Sequence, residues 1–390
     1  MGWNNNRNYY GYRKYNKSAA RLSNLVCGLL FIIFSMVYLA VFQKDLLEAI
    51  HFSVAKGNSD FHIVPAAIIV TVILLILEWG LNLLMRLRGS VKALAYLPSF
   101  LGLITMTGFG RDVYMGGFSH VWWWLMPLLT VIYVSIVVMA GRKFRPAVNQ
   151  DTLSMTIWNI LLMLAMSIAT MCLGNTDRYF HNELRMESMI AKGNNGEALK
   201  VAAKSARTTR TMTALRMLAM TKDGKTGEML FKYPQNYRAG GLFFDSDSSK
   251  TLRYTNDSIY TYLGEKPKYG ESKMEYLKRL AQKGDSCMAA RTYYLAGLML
   301  EKKMDEFSQS LEEFAWKRDT LQRYYIEAAL MYKEMNPEWK YEIPAEDSVY
   351  HKMLIEYRNR QNDSYKSVTE ERNKMRLEFG DTFWWYYDYQ

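Results

Sequence analysis

The sequence predicts an all-α protein in which a helical transmembrane bundle is followed by a soluble domain of α-helical repeats. Two observations predict this fold class. Long apolar runs are confined to residues 1–174 of the 390-residue chain, and short amphipathic helical patterns fill the remainder. Charged residues divide in the same way. Residues 1–174 contain 14 Lys and Arg and 6 Asp and Glu, whereas residues 175–390 contain 35 Lys and Arg and 32 Asp and Glu. This division excludes a single soluble domain, a disordered chain and a small disulfide-rich secreted protein.

Three regions follow from this division. We predict a basic cytoplasmic segment at residues 1–21, a transmembrane domain at residues 22–174 and a soluble extracytoplasmic helical-repeat domain at residues 175–390. About five segments of the transmembrane domain have the length and apolar character of a membrane span. They are residues 22–42, 62–85, 93–110, 121–141 and 153–173. The third segment is short and contains Pro98, and a re-entrant or interfacial segment is its alternative.

The positions of the basic residues predict how these spans are oriented. Of the 14 Lys and Arg residues, 11 lie before the first span, between the second and third, and between the fourth and fifth. The remaining loops contain Lys44, Lys56 and Arg111. Because loops rich in Lys and Arg stay in the cytoplasm, the N-terminus is expected there. Five spans then place residues 175–390 on the opposite side of the membrane.

One carboxylate, Glu78, interrupts the apolar sequence of the second predicted span. It lies about two helical turns inside the cytoplasmic end of that span. An ionisable residue within a membrane is a candidate functional group, and a proton or ion relay would use one. The structural alternative is a carboxylate that faces the bundle interior and pairs with a basic residue near the boundary, where Arg86 lies. Glu78 is therefore the candidate intramembrane polar site.

An internal repeat characterises the soluble half. Residues 293–304 and 324–335 align with an offset of 31 residues and have four identical positions. Gly297 and Ala328 occupy the same place in the two copies, where the first helix of a tetratricopeptide-type unit is closely approached by its partner helix. We therefore predict a tetratricopeptide-like domain, with two adjacent helical hairpins of unrelated packing as the alternative. The concave surface of such repeats binds peptides or protein segments.

Two aromatic segments of the soluble half are candidate interaction sites, because an exposed apolar patch commonly marks one. The first interrupts the helical pattern at residues 233–257, and the second is the C-terminal run. The candidate residues are Phe243, Phe244, Trp384, Trp385, Tyr386 and Tyr387. We expect the first segment to fold back onto the repeats or onto the membrane surface. The C-terminal run either caps the last helical hairpin, rests at the membrane interface or docks onto a partner protein.

The soluble half contains three distinctive short sequences, MLFKYPQ at residues 229–235, GLF at residues 241–243 and FGDTFWWYY at residues 379–387. They resemble sequences of a family of uncharacterised multi-pass membrane proteins from Bacteroidetes-type bacteria. The resemblance covers mainly the soluble half. It implies a multi-pass protein of a Gram-negative inner membrane, with its helical domain in the periplasm. It supplies no catalytic residues.

Together these features favour a membrane-anchored interaction or assembly protein that presents a helical-repeat domain at the outer face of the cytoplasmic membrane. We expect two partners, the lipid bilayer and a protein of the cell envelope. Nucleic acid is not expected, because the soluble half carries a net charge of only +3. Nucleotide-binding, nucleophile and metal-ligand motifs are missing, so no catalytic, cofactor or metal site is assigned. A membrane enzyme acting on lipid-linked glycan and an accessory subunit of a transporter are the alternatives.

Overall fold

The computed structural model describes residues 17–85, 87, 89–111, 121–143, 152–246, 250–283, 288–314, 321–343 and 349–390. Within these residues the regular secondary structure is helical, and extended backbone pairs only at an isolated bridge between Lys250 and Thr255. The predicted all-α fold class is confirmed. The chain divides into two compact units, Met1–Arg178 and Tyr179–Gln390, which are described separately below.

The first unit is a cluster of apolar helices. Its helices are α1 (Lys17–Val37), α2 (Lys44–Ala55), α3 (Ile63–Met85), α4 (Leu97–Thr107), α5 (Val121–Lys143) and α6 (Thr152–Leu173). A π-helical turn, Tyr38–Phe42, follows α1, and a 3-10 helix, Gly89–Tyr96, leads into α4.

Four stretches of the first unit are long and apolar enough to cross a membrane. They are Arg21–Phe42, Ile63–Met85, Gly89–Thr107 and Leu153–Leu173. Large aliphatic side chains on these helices, such as Ile33 and Ile73, are exposed, as a lipid-facing surface requires. This composition is that of a membrane protein.

The third and fourth predicted spans differ from a simple apolar α-helix. The third begins as a 3-10 helix and becomes α-helical only at Leu97, because Pro98 has no backbone N–H and suits the first turn of a helix. The fourth lies in α5, where the described apolar stretch is the shorter Pro127–Met139. Five spans therefore remain a prediction.

The second unit is built from shorter amphipathic helices. They are α7 (Arg178–Ala191), α8 (Asn195–Lys200), α9 (Arg210–Lys222), α10 (Thr226–Met229), α11 (Asn256–Leu263), α12 (Lys273–Ala281), α13 (Met288–Leu300), α14 (Met304–Glu313), α15 (Arg323–Met335), α16 (Val349–Gln361), α17 (Val368–Phe379) and α18 (Phe383–Tyr389). Two 3-10 turns, Leu230–Lys232 and Arg238–Leu242, lie between α10 and α11. Helices adjacent in sequence pack on each other over much of this unit, including α12 on α13, α13 on α14, and α15 on α16.

Residues 293–300 of the first repeat copy lie in α13, whereas the whole second copy, residues 324–335, lies in α15. Helices α13 and α15 each have 13 residues. Tyr293 and Tyr324 are aligned in the two copies and both are fully buried. The next aligned pair, Tyr294 and Tyr325, is also buried. The repeated sequence therefore produces a repeated pattern of burial.

The expected neighbour of Gly297 is wrong. The sequence predicts close approach by the partner helix of its own unit, which is α14. A Cβ atom added at Gly297 would instead lie 2.7 Å from Sδ of Met274 and 3.3 Å from Cδ1 of Leu242. The small residue therefore makes room for the preceding helix, α12, and for a 3-10 turn.

Candidate functional site

Phe243 and Phe244 lie in the core of the second unit rather than on its surface. Both side chains are at most 1% exposed. The ring of Phe243 lies 5.6 Å from that of Tyr260 and 5.9 Å from that of Tyr293. The backbone N–H of Phe244 donates to Oδ1 of Asn256 at 2.9 Å. The segment folds back onto its own helices, and its two phenylalanines are removed from the candidate interaction surface.

The aromatic C-terminal run is also internal, because it forms helix α18. Trp384 is fully buried, and Trp385 and Tyr386 are 6% and 2% exposed, while Tyr387 is half-buried. The indole Nε1 of Trp384 donates to the backbone oxygen of Glu327 at 2.8 Å. The hydroxyl of Tyr386 donates to the backbone oxygen of Leu300 at 2.7 Å. These contacts correct the docking interpretation of the tail, since most of its aromatic surface already packs within its own unit.

A buried carboxylate fixes the start of α18. Oε2 of Glu327 accepts the backbone N–H of Phe383 at 2.7 Å, and Oε1 accepts Nε of Arg323 at the same distance. Burial raises the pKa of Glu327 to about 7, and the charge of Arg323 opposes part of this rise. The side chain thus supplies an acceptor to a helix N-terminus that would otherwise leave an N–H unpaired inside the protein.

The candidate intramembrane residue, Glu78, has a basic neighbour. Its Oε1 lies 3.3 Å from Nζ of Lys92, and both side chains are buried. Lys92 belongs to the 3-10 helix that precedes α4, whereas Arg86, the basic residue considered from the sequence, lies outside the described residues. The pair satisfies the charge of Glu78 within the bundle.

The second unit contains a cavity of about 490 Å³ with an unusual distribution of charge. We call it the basic cleft. Its basic rim consists of Lys204, Arg207, Lys232, Arg372 and Arg376. The cleft also has an aromatic floor, which consists of Phe231, Tyr233, Trp385 and Tyr386. The volume falls in the range of small-molecule sites, about 300 to 1,000 Å³.

The five cations of the basic rim have no carboxylate partners among the described residues, and no Asp or Glu lines the cleft there. Other arginines of this unit are paired. Arg279, Arg323 and Arg358 each lie within 3.1 Å of two carboxylates. The rim therefore concentrates positive charge that the protein itself does not neutralise.

The aromatic floor contains one unsatisfied donor. The hydroxyl groups of Tyr233 and Tyr386 donate to the backbone oxygens of Leu199 and Leu300 at 2.9 and 2.7 Å. The Nε1 of Trp385, in contrast, is buried without a hydrogen-bond partner. Buried donors are nearly always paired in folded proteins, so this N–H has an unused bond to give.

Arg216 holds the loop that carries part of the basic rim. The residue is 2% exposed, and its Nη2 donates to the backbone oxygens of Val201 and Ala202, at 3.1 and 3.0 Å. Its guanidinium also lies 4.7 Å above the ring of Tyr233 in the floor. Burial lowers the pKa of Arg216 to about 10. Ala202 has a left-handed backbone, with φ of 47°, and the two bonds from Arg216 stabilise this conformation just before Lys204.

Little in the amino-acid sequence indicates the basic cleft. Its rim residues are spread from position 204 to position 376 and form no basic run. Arg372 and Arg376, four residues apart on α17, are the one local signal, because that spacing places both on one helix face. The other three reach the same cavity only through the tertiary fold.

Comparison with known proteins finds a family match over part of the second unit. Residues 266–390 match DUF6057, a family of unknown function. The matched region includes α12 to α18, and hence Arg372, Arg376 and the Trp385 of the cleft floor. No curated protein and no solved structure is detectably similar to this chain.

The side chains that line the cleft are suited to binding a ligand. Lys and Arg side chains supply positive charge and hydrogen-bond donors, and the floor supplies apolar surface and one free indole N–H. Among the described residues of the chain, no group of three or more His, Cys, Asp or Glu side chains is placed to hold a metal ion. The cleft is therefore described as a candidate anion-binding site.

Proposed function

We propose that this protein is a membrane-anchored binding or assembly protein that holds an anionic component of the cell envelope in its basic cleft. The single observation that carries the proposal is the basic rim, five cations around one cavity with no described acidic partner. The apolar helices of the first unit supply the membrane anchor. Anchoring would keep the cleft near the bilayer and raise the local concentration of partners that are themselves in the envelope.

The proposal includes the orientation expected from the sequence. The N-terminus lies in the cytoplasm, and the second unit lies in the periplasm of a Gram-negative bacterium. The support is the placement of 11 of 14 basic residues in three alternate loops, together with the resemblance to inner-membrane proteins. A tetratricopeptide-like organisation of the second unit is also part of the proposal, and the equivalent buried tyrosines of α13 and α15 support it.

In-cell photocrosslinking tests the proposed function. A photoreactive amino acid at Asn236, an exposed residue lining the cleft, is introduced into the full chain. Adducts are compared between the otherwise unchanged chain and the Arg372→Glu/Arg376→Glu variant. We expect a defined adduct that this variant loses, because reversing two of five charges repels an anion.

The matched control carries the same change of charge away from the cleft. Lys340 and Lys352 are exposed and do not line the cleft, so Lys340→Glu/Lys352→Glu should keep the adduct. An adduct that survives the Arg372→Glu/Arg376→Glu change, or equal loss in the control, contradicts the proposal.

A further inference from the structure

The hydrogen-bonding character of the cleft restricts the kind of anion that fits it. Ammonium and guanidinium groups are donors that accept no hydrogen bond. The described lining contains no Asp or Glu side chain, although the amides of Gln235, Asn236 and Gln390 supply both donors and acceptors. The buried N–H of Trp385 adds another donor. A ligand made of acceptors is therefore the best complement. An acidic peptide brings its own backbone N–H donors, for which the five cations of the basic rim offer no acceptor.

Phosphate groups satisfy this requirement. Each presents acceptor oxygens and carries about −1.5 to −2 charge near neutral pH. A single phosphate would leave about three of the five rim cations uncompensated, whereas two would neutralise most of them. Three of the five are arginines, whose planar guanidinium binds phosphate through two parallel hydrogen bonds.

Trp385 is an independent observation that points to a ligand. It lines the cleft, it is 6% exposed, and its Nε1 has no hydrogen-bond partner. Its neighbour Trp384 does not line the cleft, and its Nε1 is paired with the backbone oxygen of Glu327. The unsatisfied indole therefore belongs to the cleft lining, where a ligand oxygen would accept a hydrogen bond from it.

The fixed loop beneath the rim agrees with a preformed site. Arg216 holds Val201 and Ala202 in place and stacks on Tyr233, so Lys204 and Arg207 extend from a braced segment. A preorganised set of cations loses less conformational entropy when a ligand binds than a flexible set does.

We propose that the basic cleft binds a ligand that carries at least two phosphate groups, an inference that rests on the cleft being the binding site of the proposed function. The shared chemistry is a diphosphate, which a soluble metabolite or the headgroup of a membrane lipid could present. Arg372, Arg376 and Arg207 bind the phosphate oxygens, and Trp385 donates one hydrogen bond to the ligand.

Calorimetric titration of the full chain in detergent micelles with inorganic pyrophosphate tests this inference. We expect binding that weakens with added salt and weakens at least tenfold in Arg372→Gln/Arg376→Gln, since two charged contacts are lost. Lys340→Gln/Lys352→Gln, which removes two charges elsewhere, should bind as the unchanged chain does. Trp385→Phe should weaken binding several-fold, whereas Trp384→Phe should leave the affinity unchanged in chain that remains folded.

The two sources of diphosphate are separated by a second titration. The full chain is placed in nanodiscs of phosphatidylcholine with or without a polyprenyl diphosphate. If the lipid is the source, the polyprenyl diphosphate already occupies the cleft, so the protein binds pyrophosphate only in discs without that lipid. If the source is soluble, both kinds of disc bind pyrophosphate equally.

Three results would overturn the inference. They are no pyrophosphate binding by the folded chain, binding that Arg372→Gln/Arg376→Gln retains, and tighter binding of triglutamate than of pyrophosphate. In each case a charge-dependent adduct at Asn236 would leave the proposed function standing. Loss of both the titration signal and that adduct would reject the two together.

Discussion

Trp384 and Trp385 are adjacent in the chain, yet their indole groups meet different surroundings. The Nε1 of Trp384 donates to the backbone oxygen of Glu327 at 2.8 Å, inside the packed helices. The Nε1 of Trp385 has no partner and its side chain lines the basic cleft. Successive residues of a helix point about 100° apart, so the two buried side chains have different neighbours and only that of Trp385 is part of the cleft lining. The sequence, which shows only an aromatic run, could not separate these roles.

This difference predicts unequal effects of the same substitution on stability. Trp384→Phe removes a buried hydrogen bond and leaves the oxygen of Glu327 without that donor. Trp385→Phe removes a similar volume but no hydrogen bond. We expect Trp384→Phe to cost about 1 kcal/mol more in the free energy of unfolding. Thermal unfolding of the full chain in detergent measures the two variants side by side, and equal costs would contradict the pairing described here.

The raised pKa of Glu327 predicts that the free energy of unfolding decreases as the pH increases. Its pKa rises from 4.5 to about 7 on folding because the carboxyl is buried. The folded chain therefore binds more protons than the unfolded chain between these two values, and stability falls as pH increases through that range. Glu327→Gln cannot titrate. From about pH 5 to about pH 8, the unchanged chain should lose up to about 3 kcal/mol relative to this variant.

The measurement is denaturant unfolding of both chains across the pH range, with tryptophan fluorescence as the signal. A difference between them that does not change with pH would show that Glu327 stays in one protonation state. A difference that grows in favour of the unchanged chain as pH increases would reverse the predicted sign.

At the scale of elements, the sequence predicts helices well and their neighbours less well. Apolar spacing locates α13 and α15, but the structure buries residues 293–300 and 324–331 on every side of these helices. The neighbour of Gly297 depends on how α12 and the turn at Leu242 pack, which no local pattern specifies. The aromatic composition of the segment around Phe243 and of helix α18 likewise predicts that both make contacts, but not with which surface. Their burial inside the unit follows from tertiary packing of the surrounding helices.

Close packing at Gly297 predicts that even one added methyl group lowers the stability of the protein. Gly297→Ala places Cβ 2.7 Å from Sδ of Met274, which must move. We expect destabilisation of about 1 kcal/mol, near the lower end for overpacking, because the methionine side chain is flexible. Gly196→Ala is the control. This helical glycine has no atom within 4 Å of the added Cβ, so alanine should be neutral or stabilising there. Similar effects at both positions would contradict the contact.

Helix α18 predicts the effect of removing the C-terminal run. Deletion of residues 383–390 removes Trp384 and Tyr386 from the core and leaves the buried Glu327 without the N–H of Phe383. We expect faster proteolysis of the second unit and a lower melting temperature, because a large apolar surface becomes exposed. Deletion of Gln390 alone, whose amide makes a 3.3 Å hydrogen bond to Asn236, is the control and should change little. A full deletion that leaves protease resistance unchanged would favour a docking tail.

At the scale of the whole molecule, the division into two units could be predicted from composition, because a bilayer-spanning helix needs about 20 apolar residues and a soluble helix does not. The basic cleft could not, since its five cations come from segments far apart in the chain. The net charge of the soluble half, +3, averages the rim with the paired charges elsewhere and so conceals it. Local concentration of charge, rather than net charge, is what an anion meets at this site.

The most direct test of the central claim asks whether the cleft opens on the outer side of the membrane. The three native cysteines, Cys27, Cys172 and Cys287, are replaced by alanine in the full chain, and Lys232→Cys is introduced at the exposed rim. Intact cells, with an outer membrane made permeable, are treated with a maleimide that cannot cross the inner membrane. We predict labelling of this cysteine before the inner membrane is broken. Labelling only after that membrane is broken would place the second unit in the cytoplasm and contradict the account.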